Sequence, residues 1–82
     1  VTLNPNPTDD ISTISMFLTT SVHLNMKLYD ALGREIKIIA DGIYSAGQQQ
    51  FSIGLQDVHT GIYFVRGNIG EQVLVRRLVV VK

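Results

Sequence analysis

From Val22 to Tyr29 apolar and polar residues alternate one for one, with Val22, Leu24, Met26 and Leu28 set against His23, Asn25, Lys27 and Tyr29. A period of two sends successive side chains to opposite faces of an extended chain, whereas a helix needs apolar positions three and four apart. The segment is therefore predicted to be a strand with one face on a core. It runs into Asp30-Ala31-Leu32-Gly33, which fits a type I turn. Asp30 can accept from the backbone two residues on, and Gly33 can supply the positive φ of the bulge that closes a hairpin. The chain then returns as Arg34–Ile39, with Ile36 and Ile38 expected to point inward.

The same period recurs on both sides. Ile14, Met16 and Leu18 alternate with Ser15 and Phe17, and Phe17 is expected to cover an edge. Asp41-Gly42 and Ala46-Gly47 mark expected bends, and Gln48–Leu55 carries Phe51, Ile53 and Leu55 at alternate positions. After the loop Gln56–Thr60, Gly61 opens a strand Ile62–Arg66 with Ile62 and Phe64 on one face and Tyr63 and Val65 on the other, both expected to be covered. Gly67-Asn68-Ile69-Gly70 is rich in residues that tolerate left-handed geometry, so it is expected to turn a hairpin into the last segment, Gln72–Val81. At the other end Pro5 and Pro7 exclude a helix and give a linker or lead-in over residues 1–10. Turn signals at a spacing of roughly 8–12 residues, with no helical period, predict an all-β fold. The expected form is a small immunoglobulin-like antiparallel β-sandwich of roughly six to seven strands, one domain over 1–82. The predicted core includes Ile14, Leu24, Met26, Leu28, Ile36, Phe51, Ile53, Phe64 and Val80.

Composition narrows the function classes. A chain of 82 residues has room for a single modest core. Its 7 basic and 7 acidic side chains cancel, so no global field draws it to nucleic acid or an anionic membrane. The absence of cysteine removes disulfides, thiolate metal sites and cysteine nucleophiles. No apolar run approaches the ~20 residues of a membrane-crossing helix, and Val1–Asp10 lacks the basic and apolar regions of a secretory signal. A first residue other than Met, followed at once by a Pro/Asn-rich stretch, suggests a piece of a longer protein with Lys82 its natural end.

Nothing in the sequence assembles a reaction centre. His23 and His59 lie far apart with no ligand spacing, and solvated imidazoles account for them. Asp9, Asp10, Asp41 and Asp57 lack calcium-loop spacing, and turn or cap roles suffice. There is no G-x-S-x-G elbow, and Gly42, Gly47, Gly54, Gly61, Gly67 and Gly70 punctuate turns without forming a G-x-G-x-x-G cradle. No catalytic residue, metal site or cofactor is predicted, and the chain is not expected to be an enzyme.

The most unusual stretch is Val73-Leu74-Val75-Arg76-Arg77-Leu78-Val79-Val80-Val81-Lys82, strong β-formers interrupted by an arginine pair. As architecture it is a closing strand whose arginines discourage edge-to-edge pairing. Read functionally, the strand would be an address, because a free carboxyl end and an exposed edge are what a partner can capture by strand addition; on these residues alone the architectural reading ranks first.

The order of these pieces resembles the C-terminal sorting domain of the bacterial type IX (Por) secretion system, in its type A form, over Leu3–Lys82. The resemblance rests on Pro5-Asn6-Pro7 followed by the alternating strand Ile11–Leu18, then on Tyr29-Asp30-Ala31-Leu32-Gly33-Arg34 at a hairpin. It continues with Ser45-Ala46-Gly47 leading into Gln50–Ile53, the Gly-x-Tyr element Gly61-Ile62-Tyr63, and the closing Arg77-Leu78-Val79-Val80-Val81-Lys82. Asn4 stands where the family often has an aromatic residue, and Arg76-Arg77 where lysine is common.

The resemblance implies transport in Bacteroidetes-type bacteria. An N-terminal cargo domain would reach the periplasm by its own signal and be passed by the outer-membrane translocon to the outside or the cell surface. A sortase would then remove the domain upstream of Val1 and join the cargo to an anionic lipopolysaccharide. The implied recognition residues are Pro5, Asn6, Pro7, Gly33, Arg34, Gly61, Tyr63, Arg77, Leu78, Val79, Val80, Val81 and Lys82. A long apolar terminal strand also leaves open a strand-swapped homodimer. The competing reading is an immunoglobulin- or fibronectin-like accessory module of an extracellular enzyme, for sugar binding or spacing. It would need an exposed aromatic platform from Phe17, Tyr29, Tyr44 and Tyr63.

Overall fold

The alternating segment becomes a nine-residue strand at the centre of the molecule. A computed structural model describes Val1–Lys82 as seven strands. These are β1 (Thr2–Asn4), β2 (Ile11–Leu18), β3 (Val22–Asp30), β4 (Glu35–Tyr44), β5 (Gly47–Gly54), β6 (Gly61–Ile69) and β7 (Gln72–Val80). They form a three-stranded sheet of order β1-β2-β5 and a four-stranded sheet of order β4-β3-β6-β7. Every strand pair is antiparallel, and the two sheets pack as an all-β sandwich. The chain changes sheet between β2 and β3, between β4 and β5, and between β5 and β6.

The core lies between the sheets. Ile14, Met16 and Leu18 of β2 and Ile53 with Leu55 of the β5 side face Leu24, Met26, Leu28, Tyr63, Val65, Leu74, Leu78 and Val80 of the larger sheet. Most of these positions are those that period two marks as inward. Phe51 is half-buried, its ring edge-on to Tyr44 with centroids 5.1 Å apart.

Three inward assignments are overturned. Ile36 and Ile38 are 38% and 59% exposed. Two irregularities in the β3–β4 register cause this: Met26 pairs with Ala40 but Lys27 with Ile38, and Leu28 pairs with Lys37 but Tyr29 with Glu35. Each leaves one extra residue on β4, and each extra residue reverses the facing of the strand beyond it. Phe64 also leaves the core list, because β6 turns Tyr63 and Val65 inward and holds Phe64 between Tyr29 and Arg77 on the outer face. Ile62, on that same face, is 46% exposed, so only one face of β6 is fully covered.

Two expected bends are strand instead. Asp41-Gly42 lies within β4, and Gly67-Asn68-Ile69 lies within β6, so the hairpin turns at Gly70-Glu71 with Gly70 at φ +60°. Gly67 serves a close approach: a β-carbon there would overlap the Asn25 carbonyl of β3. Phe17 does not cover an edge. It projects from β2, 69% exposed, beyond Thr13–Ser15, the three residues that β1 pairs. Residues of the lead-in form β1, and the peptide bonds before Pro5 and Pro7 are cis.

Candidate recognition surface at one end of the sandwich

The Pro5-Asn6-Pro7 segment carries its peptide-like side chain to the far end of the sequence. Asn6 Nδ2 donates to the Arg77 carbonyl at 2.8 Å, and Asn6 Oδ1 accepts from the Val79 amide at 3.0 Å. An asparagine amide offers the same donor and acceptor pair as a backbone peptide, so one side chain stands in for a residue of a neighbouring strand. Thr8 completes the strip in backbone: its amide donates to the Val79 carbonyl and its carbonyl accepts from the Val81 amide, both at 2.9 Å. The resulting Thr8–Val80 bridge is parallel, unlike every strand pair in the molecule.

Two hydroxyls fix this segment. Ser12 Oγ donates to the Pro5 carbonyl at 2.9 Å, and Thr8 Oγ1 donates to the Ile11 carbonyl at 2.8 Å. Thr8 and Ser12 are the buried polar residues of the chain, and each finds a partner, as a hydroxyl shut away from water must.

Beyond β7 the chain is pinned to the β5–β6 loop. The Lys82 amide donates to Thr60 Oγ1 at 3.0 Å, and Lys82 Nζ donates to the Leu55 and Gln56 carbonyls at 2.5 and 3.1 Å. Lys37, turned inward opposite Leu28, reaches the same loop through the Gly54 carbonyl and Asp57 Oδ1. The Lys37 ammonium, as hydrogen-bond donor and then as a nearby charge, holds the Asp57 carboxyl below the usual aspartate range. Tyr63 is buried and donates its hydroxyl to the His59 carbonyl at 2.8 Å.

The Gly33-Arg34 element belongs to this end too. Asp30 pairs with Tyr63, and Tyr63 with Leu78, so the β3–β4 hairpin sits in line with the start of β6 and the end of β7. Gly33 has φ +85°, and its amide donates to the Asp30 carbonyl. Asp30 Oδ1 accepts from the amides of Leu32 and Arg34, while Oδ2 meets Arg34 Nε at 2.8 Å. The bond from the Arg34 amide is the largest cause that lowers the Asp30 pKa; the Arg34 side chain and the Leu32 amide add to it.

The structure thus brings Pro5, Asn6, Pro7, Gly33, Arg34, Gly61, Tyr63 and the stretch Arg77–Lys82 to one end of the sandwich. Their surroundings differ. Tyr63, Leu78 and Val80 are core, Gly61 and Val79 are half-buried, and Pro5, Asn6, Pro7, Gly33, Arg34, Arg77, Val81 and Lys82 are exposed. Within this end, the residues a partner could touch are the exposed ones. Sequence reasoning missed Thr8, Ser12 and Lys37. Ser12 could have been found from its place in register with Ile14, Met16 and Leu18; the other two answer to partners too distant in sequence to infer.

The four aromatic candidates do not assemble a platform. Phe17 projects from the smaller sheet, Tyr63 is core, Tyr44 packs on Phe51, and Tyr29 lies under the Arg66 guanidinium with Cζ 5.1 Å from the ring centre. The stacking surface an accessory sugar-binding module would need is therefore missing from these residues. Of the histidines, His23 lies 3.5 Å from Asp41 across the β3–β4 pair.

The model of one protein family matches residues 2–81, and its description is "Secretion system C-terminal sorting domain". No curated protein and no solved structure matches the chain.

Proposed function

The chain belongs to the family of type IX secretion C-terminal sorting domains, and we propose that it acts as a folded address read at the end of the sandwich described above. Family membership makes it a sorting signal for cargo linked on its N-terminal side, engaged by the type IX machinery for export to the outer membrane or cell surface. The finer steps are our reading. The outer-membrane translocon docks on the exposed residues Asn6, Arg34, Arg77, Val81 and Lys82. A sortase then cuts upstream of Val1 and joins the cargo to the cell surface, so the chain itself performs no chemistry.

One observation carries this reading. Motif elements separated by up to 73 residues of sequence converge on one end, where they bind one another's backbone. A partner that touches this end reads the folded state, because in an unfolded chain the pieces are not adjacent. Recognition of that kind would keep chains whose sorting domain is unfolded out of the translocon.

The test fuses the 82 residues behind a periplasmic reporter in a bacterium with a working type IX system. Reporter on the surface of the parent strain, and in the periplasm of a strain lacking the translocon, is the expected pair of results. Equal surface display in both strains would overturn the reading.

A further inference from the structure

β7 is the edge strand of the larger sheet, and only part of its outer edge is occupied. Asn6 and Thr8 take the Arg77 carbonyl, the Val79 amide and carbonyl, and the Val81 amide. Outward-facing groups fall on alternate residues of an edge strand, so Val73 and Val75 point their backbone the same way. No strand lies beside them, and their side chains are 78% and 49% exposed.

We propose that Asn6–Thr8 is a removable strap, which guards the β7 edge until an extended strand of the translocation machinery takes its place in the same parallel register. The inference rests on the sorting function above and specifies how the site opens.

The strap is built to leave. It holds β7 through four hydrogen bonds; Asn6 and Pro7 are exposed and contribute little apolar burial, and the one buried residue, Thr8, directs its hydroxyl to the Ile11 carbonyl and not to β7. β6, by comparison, pairs with β7 at nine positions. The two anchors, Ser12 on Pro5 and Thr8 on the Ile11 carbonyl, tie the strap to its own chain around β2 and not to β7. Release from β7 therefore leaves the rest of the sandwich intact. An incoming strand can make the four bonds of the strap and extend them to Val75 and Val73, so exchange favours the longer partner. The charge of the edge selects its chemistry: Gln72–Lys82 contains Arg76, Arg77 and Lys82 and no acid. A strand bearing carboxylates on the face it shares with Arg77 fits best.

Two experiments on the full 82-residue protein test the strap. By hydrogen exchange, the amides of Val79 and Val81 should exchange earlier than those of Leu74, Leu78 and Val80. Asn6→Ala should speed exchange at both Val79 and Val81 at least about fivefold while β2 and β3 amides hold. A uniform rise, or a change at Val79 alone, would show that the strap is not a unit and overturn the proposal. In the fusion, a Thr8→Cys/Val80→Cys pair occupies facing positions in a chain without other cysteines, so oxidation can lock the strap down.

The reduced pair sets the reference level of export; the oxidised pair should fall well below it and stay in the periplasm, and reductant should restore it. Export of the oxidised pair at the parental level would overturn the strap and leave the sorting function standing. Translocon-independent export of the parent would instead remove the sorting function, and with it the partner. If the reduced pair also fails, the fold has been lost and the exchange pattern of Asn6→Ala decides.

Discussion

The Lys82 ammonium lies 2.5 Å from the Leu55 carbonyl oxygen and 3.1 Å from that of Gln56. Lys82 thus ties the segment after β7 to the β5–β6 loop. Lys82→Met, which keeps most of the stem and loses the donors, should cost about 1 kcal/mol in urea unfolding, the ordinary net worth of such bonds at a surface. Unchanged stability would mean that the clip is absent in solution. Because the variant weakens the fold, its export should be compared with that of an equally destabilised core variant, such as a conservative Ile53→Val. A larger export defect in Lys82→Met would show direct reading of the lysine.

The core should report the β4 register. Leu28 is fully buried, so Leu28→Ala is expected to cost about 2–5 kcal/mol. Ile38 is 59% exposed, and Ile38→Ala should stay within about 0.5 kcal/mol. Equal losses in urea midpoints would place Ile38 inward and remove the bulges.

The contrast shows what the sequence made legible. Period two identified β2, β3, β5 and the buried residues along them, because alternation is local and needs no partner. It failed on β4, where extra residues beside Met26–Lys27 and Leu28–Tyr29 shift the phase, and a bulge has no fixed residue signature. Gly33 was readable because Asp30 and the glycine lie within one turn. Gly67 was not, because its reason is the Asn25 carbonyl on another strand. The recognition end was legible as motif pieces only. Asn6 between two prolines looks like linker until its partners, Arg77 and Val79, are known.

Acid should weaken the β3–β4 hairpin in a defined direction. The Asp30 pKa is lowered, chiefly by the Arg34 amide, so its contribution is present above the ordinary aspartate range and fades as pH falls through the lowered value. In urea titrations the wild type should be more stable than Asp30→Ala at neutral pH, and the gap should narrow below about pH 4. A gap that stays constant down to about pH 2 would show that the carboxylate charge contributes nothing to the turn.

Two glycines separate backbone strain from steric exclusion. A β-carbon on Gly33 would meet no atom within 4 Å, so the only obstacle is φ of +85°. Asparagine tolerates that region far better than a β-branched residue. Gly33→Asn should therefore be mild, and Gly33→Val should cost more than the roughly 1 kcal/mol of an ordinary glycine replacement. At Gly67 the backbone is not left-handed, and the obstacle is the Asn25 carbonyl, with Met26 Cα 2.7 Å from the same β-carbon position. Residue shape then matters little: Gly67→Ala and Gly67→Asn should both force β6 away from β3 and cost more than Gly33→Asn. Amide exchange locates the damage. Gly67→Ala should speed exchange at Asn25–Lys27 and Arg66–Asn68, the residues paired there, while the Asp30–Arg34 turn keeps its protection. A harmless Gly67→Ala would show that β3 and β6 do not approach this closely, and the register joining the two central strands would have to be redrawn.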